Sequence, residues 1–331
     1  MRKLMMRAAI VSVAIAALFS AVTSVHGREQ ARDAYPDKPI RFVVPFVAGG
    51  SYDVVARLLG MNLSEVLGQR IVVDNRPGAG GLIGTKIIKE AAGDGYTLGM
   101  FGNPQTISVN VNPNTDYDIE KDFTPIAPLA VLTNVLVIHG SVPAHSLKEF
   151  IALAKSKPGQ FNYGSGGVGA TTHLAGELFK SLAGVQLVHV PYKGSGVAVT
   201  ELLSGQVQFM VLNMVLARPL VESGRIRALA VASPRRSPFL PEVPSTNEAG
   251  LTGYEFSQWY GVVAPAKLPG KIVNQLNREI TKIVQSSGFK KGLMRQGAEP
   301  MSSDADTLAR FIKSDVAKYR KIVKEQHILA N

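Results

Sequence analysis

Residues 40–63 read IRFVVPFVAGGSYDVVARLLGMNL, and this stretch decides the fold class. Ile40–Val47 is a short apolar run rich in β-branched residues, as a buried strand requires. Gly49, Gly50 and Ser51 then break the pattern. Val54, Val55, Leu58, Leu59 and Leu63 recur at helical spacing, and Gly68 is placed to end that helix in the left-handed conformation. A buried strand, a glycine turn and an amphipathic helix form half of a strand–helix–strand unit.

The unit repeats outward along the chain. Strands are expected at 70–74, 96–101, 131–138, 161–163, 187–190, 207–212 and 226–231. Helices are expected at 82–92, 147–155, 172–182 and 197–203. Strands alternating with helices predict an α/β protein of parallel sheets covered by helices. The chain ends in two helical patterns, Ile272 to Ile283 and Leu308 to Tyr319. Ser303 with Asp306 is expected to cap the last one. One echo stands out: VLVIHGSVP (135–143) and YGVVAPAKLP (260–269) are both a strand, a proline-bearing loop and the start of a helix. Two such strands suit two passes of the chain between two lobes.

Composition narrows the function. The 331 residues contain no cysteine, which excludes disulfides, cysteine-bound zinc, iron–sulfur clusters and thiol nucleophiles. Six histidines, at 26, 139, 145, 173, 189 and 327, form no close metal-ligand pair, so no metal and no cofactor is expected. Residues 1–27 have a basic start (Arg2, Lys3, Arg7), an apolar run from Ala8 to Phe19 and a small-residue end, the layout of a cleavable secretory signal. Its apolar core is too short to span a bilayer, and the lack of cysteine after it excludes a lipoprotein anchor. Removing it takes the 36 basic residues to 33 against 25 acidic, lowering the net charge from +11 to +8. No dense basic run accompanies that charge, so no nucleic-acid partner is expected.

Ligands of open α/β sheets bind beyond the carboxyl ends of the strands, where helix N-termini present unpaired N–H groups to anions. Three turns fit. The first is Phe46 to Asp53, with Gly49, Gly50 and Ser51 at its centre. The second, Asn75 to Gly84, lacks both the dinucleotide spacing and the lysine of a phosphate loop, and reads as a structural turn. The third, Tyr163 to His173, has Gly164, Gly166 and Gly169 at the GxGxxG spacing. The following strand, ending Val188-His189-Val190, lacks the acid a dinucleotide site needs. It reads instead as a small-anion cradle with Ser165, Thr171 and Thr172 as donors. Neither Ser165 nor Ser195 sits in a GxSxG elbow. A Ser/His/Asp group assembled in space stays open, so a secreted α/β hydrolase is the alternative reading.

At these residues the sequence resembles the periplasmic solute-binding proteins of tripartite tricarboxylate transporters, the Bug-type receptors. The resemblance rests on Tyr35-Pro36-Asp37-Lys38-Pro39-Ile40, Pro45-Phe46 with Gly49-Gly50 and Asp53, Asn75-Arg76-Pro77-Gly78-Ala79-Gly80-Gly81 with Gly84, and Asp94-Gly95-Tyr96-Thr97-Leu98. It continues through Ser165, Gly167, Gly169 and His173, Val190-Pro191-Tyr192-Lys193-Gly194, Leu240-Pro241 with Val243-Pro244, Glu248-Ala249-Gly250, Trp259 and Ala264-Pro265. The order of these runs covers essentially the whole mature chain.

The resemblance implies a two-lobe periplasmic-binding-protein-like fold of the type II, Venus flytrap kind, with two hinge-crossing strands. Placed on the echo, the lobes are 35–134 with 260–331, and 135–259. It implies a monomeric periplasmic receptor, not an enzyme, that captures a small carboxylate and hands it to a two-component membrane permease. The implied pocket is built from Phe46, Gly49, Gly50 and Ser51 of one turn and from Ser165, Gly167, Thr171 and Thr172 of another, with Asn103 and Asn213 facing it. Two departures bear on the ligand. Ala170 stands where the family often has Ser or Thr, and Leu212 where it often has Asp. Loss of a cleft carboxylate predicts an aliphatic or aromatic dicarboxylate ahead of an amino acid.

Overall fold

In the computed structural model of the chain, which describes residues 35–112 and 114–325, the first strand stops short of its apolar run. Strand β1 is Ile40–Val44. Pro45, which has no N–H to give a ladder, ends it, and helix α1 follows as Ser51–Leu67. Gly68 ends α1 with φ 65°, as the pattern predicts. The expected signal at 1–27 lies outside the described residues.

The remaining elements are β2 (Ile71–Asn75), α2 (Leu82–Glu90), β3 (Thr97–Gly102), α3 (Asn103–Val111), β4 (Phe123–His139), α4 (Leu147–Ser156) and β5 (Asn162–Ser165). Then come α5 (Thr171–Ala183), β6 (Val188–Pro191), α6 (Ser195–Leu203), β7 (Phe209–Asn213), α7 (Met214–Glu222) and β8 (Ile226–Val231). Last are β9 (Ser257–Pro265), α8 (Gly270–Gln285), α9 (Ser287–Arg295), β10 (Glu299–Pro300) and α10 (Ala305–Glu325).

The strands run in the order β2-β1-β3-β9-β4-β7-β5-β6, with β8 and β10 also on β4. Parallel pairing holds for β1 with β2 and β3, and for β5 with β6 and β7. The two parallel groups are joined by β4. Its residues 123–133 pair with β9, and 134–138 pair with β7. The second crossing is at Phe256–Ser257. Phe256 N–H donates to Ala232 O beside the end of β8, and Ser257 already pairs with Thr133. This is a two-lobe, periplasmic-binding-protein-like α/β fold with two strands passing through the hinge.

The first half of β4 escaped the pattern because Pro125 and Pro128 argue against a strand. The register shifts between Pro125 and Ala127 and again between Pro128 and Ala130, and these irregularities accommodate the prolines within the ladder. Helices α3 and α7 were also missed; each follows its strand directly and is only nine residues long. The expected cap of the last helix is corrected. Asp304, not Ser303, accepts Thr307 N–H at 2.7 Å, and its backbone O takes Leu308 N–H.

Helix α10 packs on both halves of the molecule. Leu308, Ile312 and Val316 join Val43, Ile88, Phe101 and Trp259. Tyr319, Ile322 and Val323 join Ile107, Val111, Leu136 and Phe179. Each buried aliphatic side chain contributes about 2 kcal/mol by leaving water, so the helix is held to both cores. Among the described residues no helix is long and apolar enough to cross a membrane.

Candidate functional site

The carboxyl ends of β1 and β5 each open into a turn that starts a helix with no capping side chain. Gly50 precedes α1 and Ala170 precedes α5; both have extended dihedrals suited to a cap, and neither supplies one. By contrast Ser146, Ser286 and Asp304 cap α4, α9 and α10 with side-chain oxygens. Helices α2 and α8 also begin without one, at Gly81 and Pro269. The first N–H groups of α1 and α5 therefore have no capping side chain, with the positive end of the helix dipole behind them.

In the first turn, Gly49 has φ +78°, a backbone that favours glycine. Its N–H donates to Asp53 Oδ2 at 2.8 Å, and Arg57 Nε donates to the same oxygen at 2.9 Å. Burial works against the Asp53 charge, but the bonds from Arg57, Gly49 and Asn75 outweigh it and hold the carboxyl below its ordinary range. Asp53 Oδ1 and the neighbouring Tyr52 hydroxyl are buried without a hydrogen-bond partner. Phe46 is half-buried with its ring 4.4 Å from that of Tyr52, which lies 4.3 Å from the ring of Tyr260. Tyr260 donates its hydroxyl to Ser51 Oγ at 2.8 Å, leaving the Ser51 proton free to be given onward.

In the second turn, Ser165 is fully buried. Its hydroxyl accepts Gly167 N–H at 3.1 Å and lies 2.6 Å from His189 Nε2. Gly166 N–H donates to Thr172 Oγ1 at 2.8 Å, and Gly169 N–H to His173 Nδ1 at 3.0 Å. Gly167 has φ +128°. The amides of Gly166, Gly167 and Gly169 are thus committed within the turn, and the first N–H groups of α5, on the buried Thr171 and Thr172, are left without a capping side chain. This differs from a cradle of glycine amides, and the reason is local: Ser165, Thr172 and His173 take those amides first.

A further helix start belongs to this turn and was missed. Gly194 precedes α6, has no side chain to cap with, and donates its N–H to Gly166 O at 3.1 Å. A Cβ on Gly166 would stand 2.9 Å from Ser195 Oγ, so only glycine lets α6 approach. The signal was visible as Gly194-Ser195-Gly196 after a strand, the same small-residue helix start as at Gly49-Gly50-Ser51.

Helix α3 lies between the two turns. Gly102, which precedes it, lies beside the Tyr52 hydroxyl, and the helix ends at Val111, whose Cγ2 would stand 2.9 Å from a Cβ on Gly169. Nine helical residues rise about 13 Å along α3. Asn103 is 1% exposed and its amide is committed. It donates to Tyr319 Oη at 2.7 Å and Asp315 Oδ2 at 3.3 Å, and its Oδ1 accepts Trp259 N–H at 2.9 Å. Asn213 caps α7 by accepting Leu216 N–H at 3.1 Å and donates to Gln258 Oε1 at 3.2 Å. Leu212, read above as a cleft position, is corrected: it is fully buried in an apolar cluster with Val135, Met210 and Met214, because its strand turns that side chain toward the core.

Two cations near the turns, Arg57 and Lys180, are already paired. Arg57 serves Asp53, and Lys180 holds Glu177 at 2.8 Å. What remains to meet an anion is chiefly backbone N–H and hydroxyl, with exposed Lys193 near the start of α6.

Residues 55–328 match the sequence profile described as tripartite tricarboxylate transporter family receptor. The chain is similar to Protein BugT of Bordetella pertussis, 36% identical over 95% of this chain and 96% of that protein. Among solved structures it is similar to an R. palustris protein determined with adipate, at TM-score 0.85 and 35% identity, covering 89% of this chain and 99% of that one. It is also similar to MatC from Rhodopseudomonas palustris with bound malate, at TM-score 0.81 and 31% identity, covering 87% and 100%.

Proposed function

The chain belongs to the tripartite tricarboxylate transporter receptor family, and from this we propose that it is a periplasmic receptor for a short-chain dicarboxylate, which it delivers to a two-component membrane permease. The family is one of carboxylate-binding solute receptors, and two similar structures are named for adipate and malate. One observation carries the finer reading. Two uncapped helix starts, at Ser51 and Thr171, stand on different parallel strand groups with α3 between them. A chain with an anionic group at each end suits two such helix starts facing one site. The half-buried Phe46 ring and the exposed Val47 and Val168 offer apolar surface to the carbons between.

In this reading, residues 1–27 are removed on export, and the mature protein is a monomer without cofactor or metal that performs no chemistry. The lobes are 35–134 with 260–331, and 135–259, and they close about the crossings of β4 and β9. Phe46, Gly49, Gly50, Ser51, Gly167, Thr171 and Thr172 form the ligand walls, and the buried Ser165 holds the second turn from behind through Gly167 and His189. Asn103 and Asn213 support them through Asp315 and Gln258.

The experiment is thermal stabilisation across adipate, succinate, malate, citrate, phthalate, aspartate and glutamate, because a ligand that binds only the folded chain must raise its stability. Dicarboxylates should stabilise most and should shrink the radius of gyration in solution scattering. Stabilisation by aspartate or glutamate alone would sink the dicarboxylate reading. The hydrolase alternative draws on the 2.6 Å Ser165–His189 contact. The complete burial of Ser165 weighs against it, and turnover of an ester panel is its test.

A further inference from the structure

The second turn is propped from beneath by two stacked imidazoles. Tyr163 and His189 are register partners on β5 and β6, with rings 4.8 Å apart. The rings of His189 and His173 lie 4.0 Å apart and 11° from parallel. Each imidazole holds one part of the turn, His189 through the Ser165 hydroxyl and His173 through the Gly169 N–H.

Protonation would affect the two rings differently. His173 Nδ1 accepts Gly169 N–H, so a proton placed there breaks that bond. His189 has no such obstacle. With a proton on Nε2 it donates to Ser165 Oγ, and the seryl proton turns to Gly167 O, 3.1 Å away. Every bond of the turn survives, and face-to-face stacking disfavours charging both rings at once.

We propose that His189 is a positioning residue for anion capture at the second turn, and that it takes up a proton from solvent when a carboxylate binds there. The proposal rests on the carboxylate reading above. A carboxylate held by the N–H groups of Thr171 and Thr172 brings negative charge close to a half-buried ring, where water screens it less than in bulk solvent. Before binding the ring is neutral: burial, then the adjacent His173, lowers its pKa to about 4. The other groups facing the stack are Glu177, whose Oε1 lies 3.9 Å from His173 Nε2 and favours a charged ring, and Lys180, bonded to Glu177, which opposes one. Tyr163 donates to Glu177 at 2.5 Å, and burial keeps its phenol protonated. Coupling is reciprocal, so if binding draws in a proton, acid must strengthen binding.

The test is calorimetry at pH 6 with adipate and with malate, in two buffers of different ionisation heat. It compares the mature chain with His189→Gln and His173→Gln. The probes titrate too, but equally against all three proteins, so the difference isolates the ring. Wild type should take up about half a proton more than His189→Gln, and should gain about threefold more affinity between pH 7 and pH 5.5. His173→Gln should keep the excess uptake. His189→Ala should bind more weakly than His189→Gln at pH 8, because only glutamine can still hold Ser165. If His189→Gln does not fold, the His189 titration is followed by NMR in wild type, where adipate or malate should raise its pKa. Equal uptake in wild type and His189→Gln, or an unmoved titration, overturns the proposal while leaving carboxylate binding intact. Failure of every probe to bind overturns the carboxylate reading and this coupling with it.

Discussion

Tyr260 on the crossing strand β9 donates its hydroxyl to Ser51 Oγ, the first residue of α1, at 2.8 Å. A strand that passes through the hinge is thereby bonded to the uncapped start of α1. The bond also sets direction: with Tyr260 as donor, Ser51 has its own proton to give, and a chain of two hydroxyls polarises toward an anion. Tyr260→Phe should weaken adipate binding about fivefold, and Ser51→Ala at least as much, the size of one neutral hydrogen bond. Wild-type affinity in both variants, measured by calorimetry, would remove Ser51 from the site.

The empty cap at Ala170 makes a sharper test, because stability and function should move in opposite directions. Ala170 has φ −68° and ψ 158°, the geometry of a capping residue. Ala170→Asp should cap α5 and stabilise the unliganded protein by about 1 kcal/mol. The same carboxylate would occupy the N–H groups meant for the ligand, so dicarboxylate binding should be lost. A variant that is more stable and still binds as wild type would show that the start of α5 is not the anion site.

Asp315 is a buried hub rather than a surface acid. Its Oδ2 accepts Thr106 Oγ1 at 2.6 Å, Trp259 Nε1 at 2.9 Å and Asn103 Nδ2 at 3.3 Å, joining α10, α3 and β9. Burial raises its pKa, with the bonds from Thr106 and Trp259 opposing the rise. Asp315→Ala leaves these donors short of a partner and should cost about 3 kcal/mol in urea unfolding. A loss below 1 kcal/mol would mean the hub contributes little.

The unliganded protein should lose stability in mild acid. The unfolded chain binds a proton at His189 near its ordinary pKa of 6.5, while burial and His173 hold the folded ring to about 4. Between those values the unfolded state binds more protons, so stability falls as pH falls from 6.5 toward 4. Allowing for partial solvent screening, the loss is about 2 kcal/mol. Denaturation curves at pH 7 and pH 4.5 should converge for His189→Gln relative to wild type; an identical drop in both would assign the acid sensitivity elsewhere.

Much of the fold was legible because its signals are short-range. The strand–turn–helix at 40–68, its stop at Gly68 and the parallel strand groups at the two ends of the sheet follow from periodicity within a few turns of chain; the antiparallel pairing of β4 with β9, β7 and β8 corrects the expectation of wholly parallel sheets. The first half of β4 was not legible, since Pro125 and Pro128 are acceptable only where the ladder is irregular, and that depends on where β9 lies. Leu212 misled for a related reason: a strand residue faces core or cleft according to register, which one sequence does not reveal.

The site divides in the same way. Both small-residue turns, the uncapped Ala170 and the candidate hydroxyls of Ser51 and Thr171 are written in the sequence itself, because a helix start is made by adjacent residues. Only the tertiary structure decided that Ser165 turns inward to His189, 24 residues away, and that α6 begins against Gly166. It also committed Asn103 to Asp315, 212 residues distant. The parallel register of β5 and β6 puts Tyr163 beside His189, and side chains two residues apart share a sheet face, so Ser165 meets that ring as well. Pairings of that kind are set by how strands align in space, and no local pattern along the chain encodes the alignment.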